Sequence, residues 1–264
     1  MKGSLDLVVA LLAAMVSVSA AALSSAPVAD AASDPAAGRT SITLSTGLDH
    51  LSNNTPAWHE YTARLRQQFG KRHIGELGII NTNRFGLNDN QISALYARPV
   101  TESSTITFDG AVSPTHQVLP RYGVGALVQT ELAPAWLVHT GARTTSYEQV
   151  TVNQVLLGLE RYVSSFSWFV GWRPTHAFGQ TVHSGELRGS YYYSDVSSVG
   201  IILAAGQEAN SLGRSVNLTS VRSVAVVGRH RINPYWDLTY TFAHTRQGDF
   251  YQRNSTNVGI QYTF

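Results

Sequence analysis

The sequence predicts an all-β protein: a transmembrane antiparallel up-and-down β-barrel of about fourteen strands, with twelve as the alternative, behind a cleaved signal peptide. Three observations lead to this fold class. The chain opens on an export signal, and the remainder is poor in charge. From Ser41 onward, apolar and polar residues alternate in segments of about 10 to 14 residues.

The first 31 residues have the form of a secretory signal peptide. Lys2 precedes an apolar run over residues 7–23, and Ala29-Asp30-Ala31 fits an Ala-x-Ala cleavage site. A membrane anchor is the alternative, but the run lacks a basic flank on its far side. We therefore expect a signal peptide at 1–31, a disordered lead-in at 32–40 and an outer-membrane barrel at 41–264.

Composition excludes several classes of protein. The chain has no cysteine, so neither a disulfide framework nor a thiolate metal site is available. Charged residues make up 14% of the chain, against about 25% in typical soluble domains. The formal net charge of +2 argues against a nucleic-acid partner. No second long apolar run follows the signal, so strands rather than helices are expected to cross the membrane.

Alternation defines the strands of the first half. Segment 57–69 turns Tyr61 and Leu65 to one face and Arg64 to the other, and Val124 similarly opposes Arg121. Most segments reach the 9 to 11 residues that a tilted membrane strand needs, whereas soluble strands usually have about 5 to 6. The predicted strands here are 41–51, 57–69, 73–85, 90–100, 103–113, 120–132 and 135–147.

The second half continues the pattern. Trp168 and Trp172 oppose Arg173, while the segment at 217–231 alternates less clearly. Twelve strands would result if the first two segments formed a flap, or if 183–207 were one irregular excursion. The predicted strands are 150–162, 164–174, 183–194, 197–207, 217–231, 235–246 and 252–264.

The ends of the segments indicate how the barrel closes. The last segment carries its apolar residues Val258, Ile260, Tyr262 and Phe264 on one face, and it must pair with the first strand because an open edge in hydrocarbon leaves amides unsatisfied. Short connections at 70–72 and 133–134 are expected in the periplasm, and longer ones near 53–54, 114–120, 176–182 and 208–215 outside the cell. Aromatic residues at segment ends predict two interfacial girdles: Trp58, Trp136, Tyr147, Tyr162, Tyr235, Trp236 and Tyr251.

The polar faces together predict a lumen. Its arginines could favour anionic solutes or sugar polymers, or its opposite charges could pair and hold the wall rigid. The mixed signs favour the second interpretation. Phe169 and Tyr191 are the aromatic residues that could stack on sugars there. The predicted lumen-facing charges are Glu60, Arg64, Arg66, Glu76, Asp109, Arg121, Arg143, Arg173, Glu186, Arg188 and Asp237.

No catalytic, cofactor-binding or metal-binding set stands out, and we predict that the protein is not an enzyme. His139 lies on a polar face with Ser146 nearby in the sequence, but the spacing matches no nucleophile elbow. His176 and His183 flank a predicted loop without the close spacing of metal ligands.

The carboxy-terminal part resembles a known family. "LTSVRSVAVVGRHRINPYWDLTYTFAHTRQGDFYQRNSTNVGIQYTF" is similar to the last three strands of YaiO-like outer-membrane β-barrels, and "LLGLERYVSSFSWFVGWRPT" and "AAGQEAN" are similar to their middle strands. The resemblance implies a barrel in the outer membrane of Gram-negative bacteria, inserted by the barrel-assembly machinery through its last strand. It also implies an association with exopolysaccharide export, and it brings no catalytic residues.

Three functions follow as hypotheses. The first is a porin-like pore or accessory for passage of solutes or exopolysaccharide across the outer membrane. The second is a filled, non-conducting barrel that anchors or scaffolds a secretion or polysaccharide complex. A lipid acyl hydrolase or transferase is the third. The expected partners are outer-membrane lipid, the barrel-assembly machinery, and polysaccharide or exopolysaccharide-export proteins; no cofactor is expected.

Overall fold

The computed structural model describes residues 38–52, 55–212 and 215–264. The predicted signal peptide lies outside these residues. The described part of the lead-in is already joined to the sheet, because the Gly38 amide donates to the Gln68 carbonyl and β1 begins at Thr40. No helix in the described ranges has the length and apolarity needed to cross a membrane.

The strands form one closed antiparallel barrel in which each pairs with its neighbours in sequence and β1 pairs with β14. The predicted count of fourteen is confirmed, and the alternative of twelve is wrong. The strands are β1 Thr40–Leu51, β2 Trp58–Gly70, β3 His73–Arg84, β4 Leu87–Pro99, β5 Ser104–Val112, β6 Tyr122–Ala133, β7 Trp136–Ser146, β8 Thr151–Val163, β9 Phe166–Ala177, β10 Gln180–Ser194, β11 Ser197–Leu212, β12 Ser215–Asn233, β13 Trp236–Gln247 and β14 Tyr251–Thr263.

The connections assign the two ends of the barrel. The end with the longer connections 52–57 and 113–121 is extracellular, since outer-membrane barrels have short periplasmic turns and longer outer loops. Two of the predicted long outer loops, 176–182 and 208–215, are wrong, because the strands continue into them. β9 and β10 run through 176–182 to a tight turn at Phe178 and Gly179, whose φ values of 52° and 72° continue the strand twist as in a type I′ hairpin. The ladder of β11 and β12 likewise extends to Leu212 and Ser215.

The wall changes character along its height. In the lower part the outward residues are apolar; on β9, Trp168 and Val170 are 53% and 54% exposed. Toward the extracellular end the outward residues become polar and bond across strands, as in the pairs Asn81–Asn90 at 2.8 Å and His244–Asn254 at 2.7 Å. Toward the same end, buried apolar side chains such as Leu51, Trp58 and Val182 join the charged groups of the inward face. The extracellular part therefore has a packed interior, as a soluble barrel does.

The predicted aromatic girdles are only partly correct. Tyr235 and Trp236 point outward, where they contact Tyr262 of the last strand, and Trp136 stacks with Arg161 on the outer wall. Four of the predicted girdle residues instead lie inside the barrel or in its packed outer end: Trp58, Tyr147, Tyr162 and Tyr251. The alternation itself places three of them there, because Trp58 shares its face with Glu60, Tyr162 with Glu160, and Tyr251 with Arg253.

Candidate functional site

All but one of the predicted lumen-facing charges lie on the inward face of their strands. The inward residues are Glu60, Arg64 and Arg66 on β2, Glu76 on β3, Asp109 on β5, Arg143 on β7, Arg173 on β9, Glu186 and Arg188 on β10, and Asp237 on β13. Arg121 is the exception. It is exposed in the connection before β6, at the extracellular mouth, because the strand starts two residues later than predicted.

Most of these charges form ion pairs between neighbouring strands. Arg64 lies 3.8 Å from Glu76, and Arg173 lies 3.8 Å from Glu186. Arg143 on β7 contacts Asp109 on β5 across β6, where Gly125 leaves room for the pair. Further pairs join Arg84 to Glu60 at 3.3 Å and Arg253 to Asp49 at 3.7 Å, and Asp237 is shared by Arg229 and Arg231. Such pairing favours the interpretation of the charges as cross-strand braces.

Several inward charges were missed from the sequence. Arg229 and Arg231 lie in the segment whose alternation is weakest, where Arg222 and Val224 share the opposite face. Glu160 and the other missed groups follow the correct phase of their strands, so the alternation contained the signal, as it did for His139 on its polar face. They include Asp49, Arg84, Asp89, Glu160, Glu208 and Arg253.

Phe169 lies at the centre of a mid-lumen cluster. Its ring covers Gly158 and Gly171, where an added Cβ would come within 2.5 Å and 2.7 Å of ring carbons. The edge of His139 and the guanidinium of Arg188 approach the ring at 5.4 Å and 4.7 Å. Phe169 is therefore a packing residue on the wall. The other aromatic predicted inside the lumen, Tyr191, is wrong: it points outward and is 42% exposed, beside Phe166.

Below this cluster lies a chamber of about 210 Å³. It extends from Thr241 and Asn257, at the middle of β13 and β14, to the periplasmic turn at Asp195 and Val196. Tyr162 and Tyr192 line it with ring centroids 6.2 Å apart, and arginines from three sides of the barrel complete it: Arg64, Arg66, Arg188 and Arg229. The chamber offers both hydrogen-bond donors and aromatic faces to a solute.

Above the cluster, buried apolar side chains pack into two groups at the extracellular end. One group consists of Leu51, Trp58 and Tyr251 with Phe85 packed against them. The other consists of Val152, Ala177, Val182, Ala209 and Val221, with Tyr147, Val150, Phe178 and Ala204 packed against it. We call these two groups the outer cap.

Tyr147 shows that the outer cap reaches across the barrel. Burial raises the pKa of Tyr147 to about 12; Arg84 on β3 and Arg143 on β7 oppose the shift, and Glu208 on β11 adds to it. Tyr147 follows β7 and packs against the group that includes Val182 on β10 and Val221 on β12, so side chains from several strands meet there. Glu208 is itself buried and accepts a hydrogen bond of 2.6 Å from Gln247.

The connection 113–121 is folded down onto the wall. The buried carboxylate of Asp89 accepts hydrogen bonds from the amides of Val118 and Leu119 at 2.6 Å and 2.8 Å, and Gln91 donates to the Ser113 hydroxyl at 3.1 Å. A carboxylate that satisfies loop amides holds this connection in one place.

The histidines considered for chemistry are held in structural roles. His139 points into the lumen and bonds to Glu160 at 3.1 Å, whereas Ser146 lies roughly 23 Å further along the same strand at about 3.3 Å per residue, so the two do not form a catalytic pair. His176 bonds to Thr181, and His183 stacks on Trp172. No group of three or more metal-ligating side chains occurs among the residues that the structure describes.

The architecture can now be compared with known proteins. The family model of the YaiO membrane beta barrel domain matches residues 39–211, which is more than half of the chain. The chain belongs to this family. The YaiO match includes the middle strands on which the sequence resemblance rested but ends before the carboxy-terminal segment, so β12 to β14 join the family barrel as its structural continuation. A search of curated proteins found no significant sequence match.

Solved structures share the fold of this YaiO barrel. The CymD monoaromatic hydrocarbon channel has a TM-score of 0.59 at 10% identity, covering 93% of this chain and 92% of the channel. A bacterial polysaccharide outer membrane secretin has a TM-score of 0.59 at 12% identity, with 85% and 98% covered. The COG4313 outer membrane channel of Pseudomonas putida F1 has a TM-score of 0.57 at 10% identity, with 88% and 100% covered. At these identities the likeness establishes an outer-membrane β-barrel fold.

Proposed function

We propose that this YaiO barrel is a gated outer-membrane channel for hydrophilic solutes, with saccharides as the favoured class, loaded from the periplasm. One observation carries the proposal: a polar, tyrosine-lined chamber reaches the periplasmic turns and ends beneath a packed outer cap. A barrel that served only as a wall would not need such a chamber.

The chemistry of the chamber supports saccharides over simple ions. Fourteen strands at about 4.8 Å spacing and a tilt near 40° enclose a backbone cylinder roughly 28 Å across, wide enough for a sugar chain once the inward side chains move. Tyr162 and Tyr192 present rings on which sugars can stack, while inward charges of both signs largely cancel. Because these charges largely cancel, the electrostatic field in the lumen discriminates little between solutes of different charge.

The folds of the solved structures do not choose the solute. Two barrels with the same TM-score are a hydrocarbon channel and a polysaccharide secretin, so the lining of the lumen has to indicate the solute. The association with exopolysaccharide export that the family resemblance implies fits the same solute class. Passage of exopolysaccharide and contact with export proteins are therefore part of this proposal.

The test is single-channel conductance of the refolded chain, without its signal, in planar bilayers. We expect the wild type to open rarely and Trp58→Ala with Tyr251→Ala, which removes two of the three rings of the smaller outer-cap group, to conduct steadily. The matched control is Trp168→Ala with Tyr191→Ala, which removes the same ring types from the outer wall and should behave as wild type. A neutral oligosaccharide added on the periplasmic side should block the open variant, with about tenfold shorter blocks when Tyr162 is also replaced by alanine.

The second candidate is the filled barrel that anchors a secretion or polysaccharide complex. The outer cap favours this candidate, because packed side chains at the mouth stabilise a closed barrel. If the cap variant folds, judged by the gel shift of unheated protein, but stays silent, the channel proposal fails and the anchor remains. Attention would then turn to the connection 113–121 and its attachment at Asp89.

A further inference from the structure

The outer wall carries no acidic side chain. Within the described strands, every outward position is apolar, neutral polar, histidine or arginine, and each strand carboxylate points inward. An ordinary lipid-facing wall needs only an apolar band with aromatic margins. Glu148 and Asp249 lie in turns at the extracellular end, but the outward strand positions there hold cations and no carboxylates, which suits an anionic surface.

The outward cations at the extracellular end are concentrated on β12 and β13. Arg222 and Arg246 are directly paired in the register of these two strands, and both are exposed. Like charges placed directly opposite each other on one face of a sheet destabilise it unless an anion lies between them. The next neighbours in that row, Ala205 on β11 and Gln252 on β14, supply no negative charge.

Only one carboxylate approaches the arginine pair in the part of the chain that the structure describes. Asp249, in the turn after β13, lies 3.5 Å from Arg246 and is fully exposed, which makes it a weak partner. Arg246 also donates to the Gly248 carbonyl at 3.3 Å. No ion pair within the described ranges involves Arg222.

The row beneath the arginines marks the margin of the membrane. His244 of β13, Asn254 of β14 and His50 of β1 are consecutive cross-strand neighbours, with His244 and Asn254 joined at 2.7 Å. Directly below this row the outward residues are apolar, with Phe242 49% exposed and its register partner Val226 39% exposed. The stripe of Arg222, Arg246, His244, Asn254 and His50 thus lies where lipid headgroups of the outer leaflet begin.

We propose that this outer stripe binds the phosphate of a phosphorylated outer-leaflet glycolipid. Two adjacent guanidinium groups can hold one phosphate through several charge-assisted hydrogen bonds, and the amide and imidazoles below can bond the attached sugar. The acyl chains then lie along the apolar band beneath. The proposal is independent of whether the lumen conducts.

The experiment measures binding of purified bisphosphorylated lipid A to the detergent-solubilised chain by native mass spectrometry. We expect Arg222→Gln with Arg246→Gln to bind about tenfold more weakly, because charge-assisted hydrogen bonds to the phosphate are lost. The matched control is Arg98→Gln, an outward arginine of β4 at the periplasmic margin, which should bind as wild type. Equal binding by the double variant would overturn the proposal.

A second part of the experiment compares two forms of lipid A and uses only the wild-type protein. Lipid A stripped of its phosphates should bind the wild type about tenfold more weakly than the bisphosphorylated form. Equal binding of the two lipids would mean that only the acyl chains are recognised, and the proposal would fail. Millimolar inorganic phosphate could also compete as effectively as the lipid. That result would identify an adventitious ion site without lipid recognition, and it would overturn the proposal.

Discussion

At the scale of single residues, charges inside this barrel act mainly as parts of its wall. Asp237 is 1% exposed and receives hydrogen bonds from Arg229 at 2.6 Å and from both Arg231 nitrogens that face it. The three groups lie on two adjacent strands near the periplasmic end, beside the chamber. Removal of the one carboxylate would leave two guanidinium groups facing each other.

Asp237→Asn should therefore destabilise the barrel. We expect a loss of about 2 to 3 kcal/mol in the free energy of unfolding, below the range for fully buried pairs because the arginine side chains stay 28% and 27% exposed. Urea unfolding in detergent micelles measures the change. Asp249→Asn, at a fully exposed carboxylate, is the control and should leave the unfolding midpoint unchanged. An unchanged midpoint for Asp237→Asn would contradict the conclusion that Asp237 stabilises the wall.

At the scale of single strands, the outward face of one strand meets two environments along its length: lipid, and polar surroundings at the extracellular end. On β9 the outward residues Phe166, Trp168 and Val170 meet lipid, and His176 at the extracellular end bonds to Thr181 above the band. The inward face of the same strand ends on the buried pair Thr175 and Ala177. The depth of an outward position should therefore decide the cost of a charge placed there.

Val170→Arg places a cation in the middle of the apolar band. We expect it to cost about 2 to 4 kcal/mol of folding free energy in lipid vesicles, whereas Thr144→Arg, outward among the polar cross-strand pairs, should cost at most about 1 kcal/mol. Both are measured as shifts of denaturant-dependent folding into phosphatidylcholine vesicles. Similar free-energy costs at the two positions would mean that the apolar, lipid-facing band does not lie at the height of Val170.

At the scale of the whole molecule, closure holds the barrel together. β1 and β14 pair from Ser41 with Thr263 to Leu51 with Arg253, although these partners are separated by nearly the full length of the domain. Every other pairing in the barrel joins neighbours in sequence. This single long-range ladder is what removes both open edges from hydrocarbon.

A chain that stops at Asn257 should fail to fold. It keeps the upper part of β14 but loses Val258, Ile260, Tyr262 and Phe264, so the amides of β1 below Gly47 stay unpaired. The absence of the gel shift between unheated and heated protein would report this failure in detergent and in vesicles. Phe264→Ala keeps all the ladder bonds and should fold; if the truncated chain also folded, closure would not be the deciding interaction.

Much of this fold is present in the sequence because a strand repeats every two residues. The alternation predicted fourteen strands with inward charges, and it would also have placed Trp58, Tyr162 and Tyr251 inside had their phase been weighed above their residue type. The interfacial preference of aromatic rings led those three residues to be misplaced. Arg121 was misplaced because a strand end cannot be fixed by a pattern that fades into a loop.

The sequence by itself determined the class, the strand count and which face of each strand meets lipid, because these depend on local periodicity and on the length of chain that crosses a bilayer. Tertiary structure decided that the outer end of the lumen is filled and that the inward charges are paired. It also decided that Arg222 and Arg246 stand side by side. These features depend on which residues of distant or neighbouring strands meet at one height. Strand register and closure set that height, and a two-residue repeat does not record it.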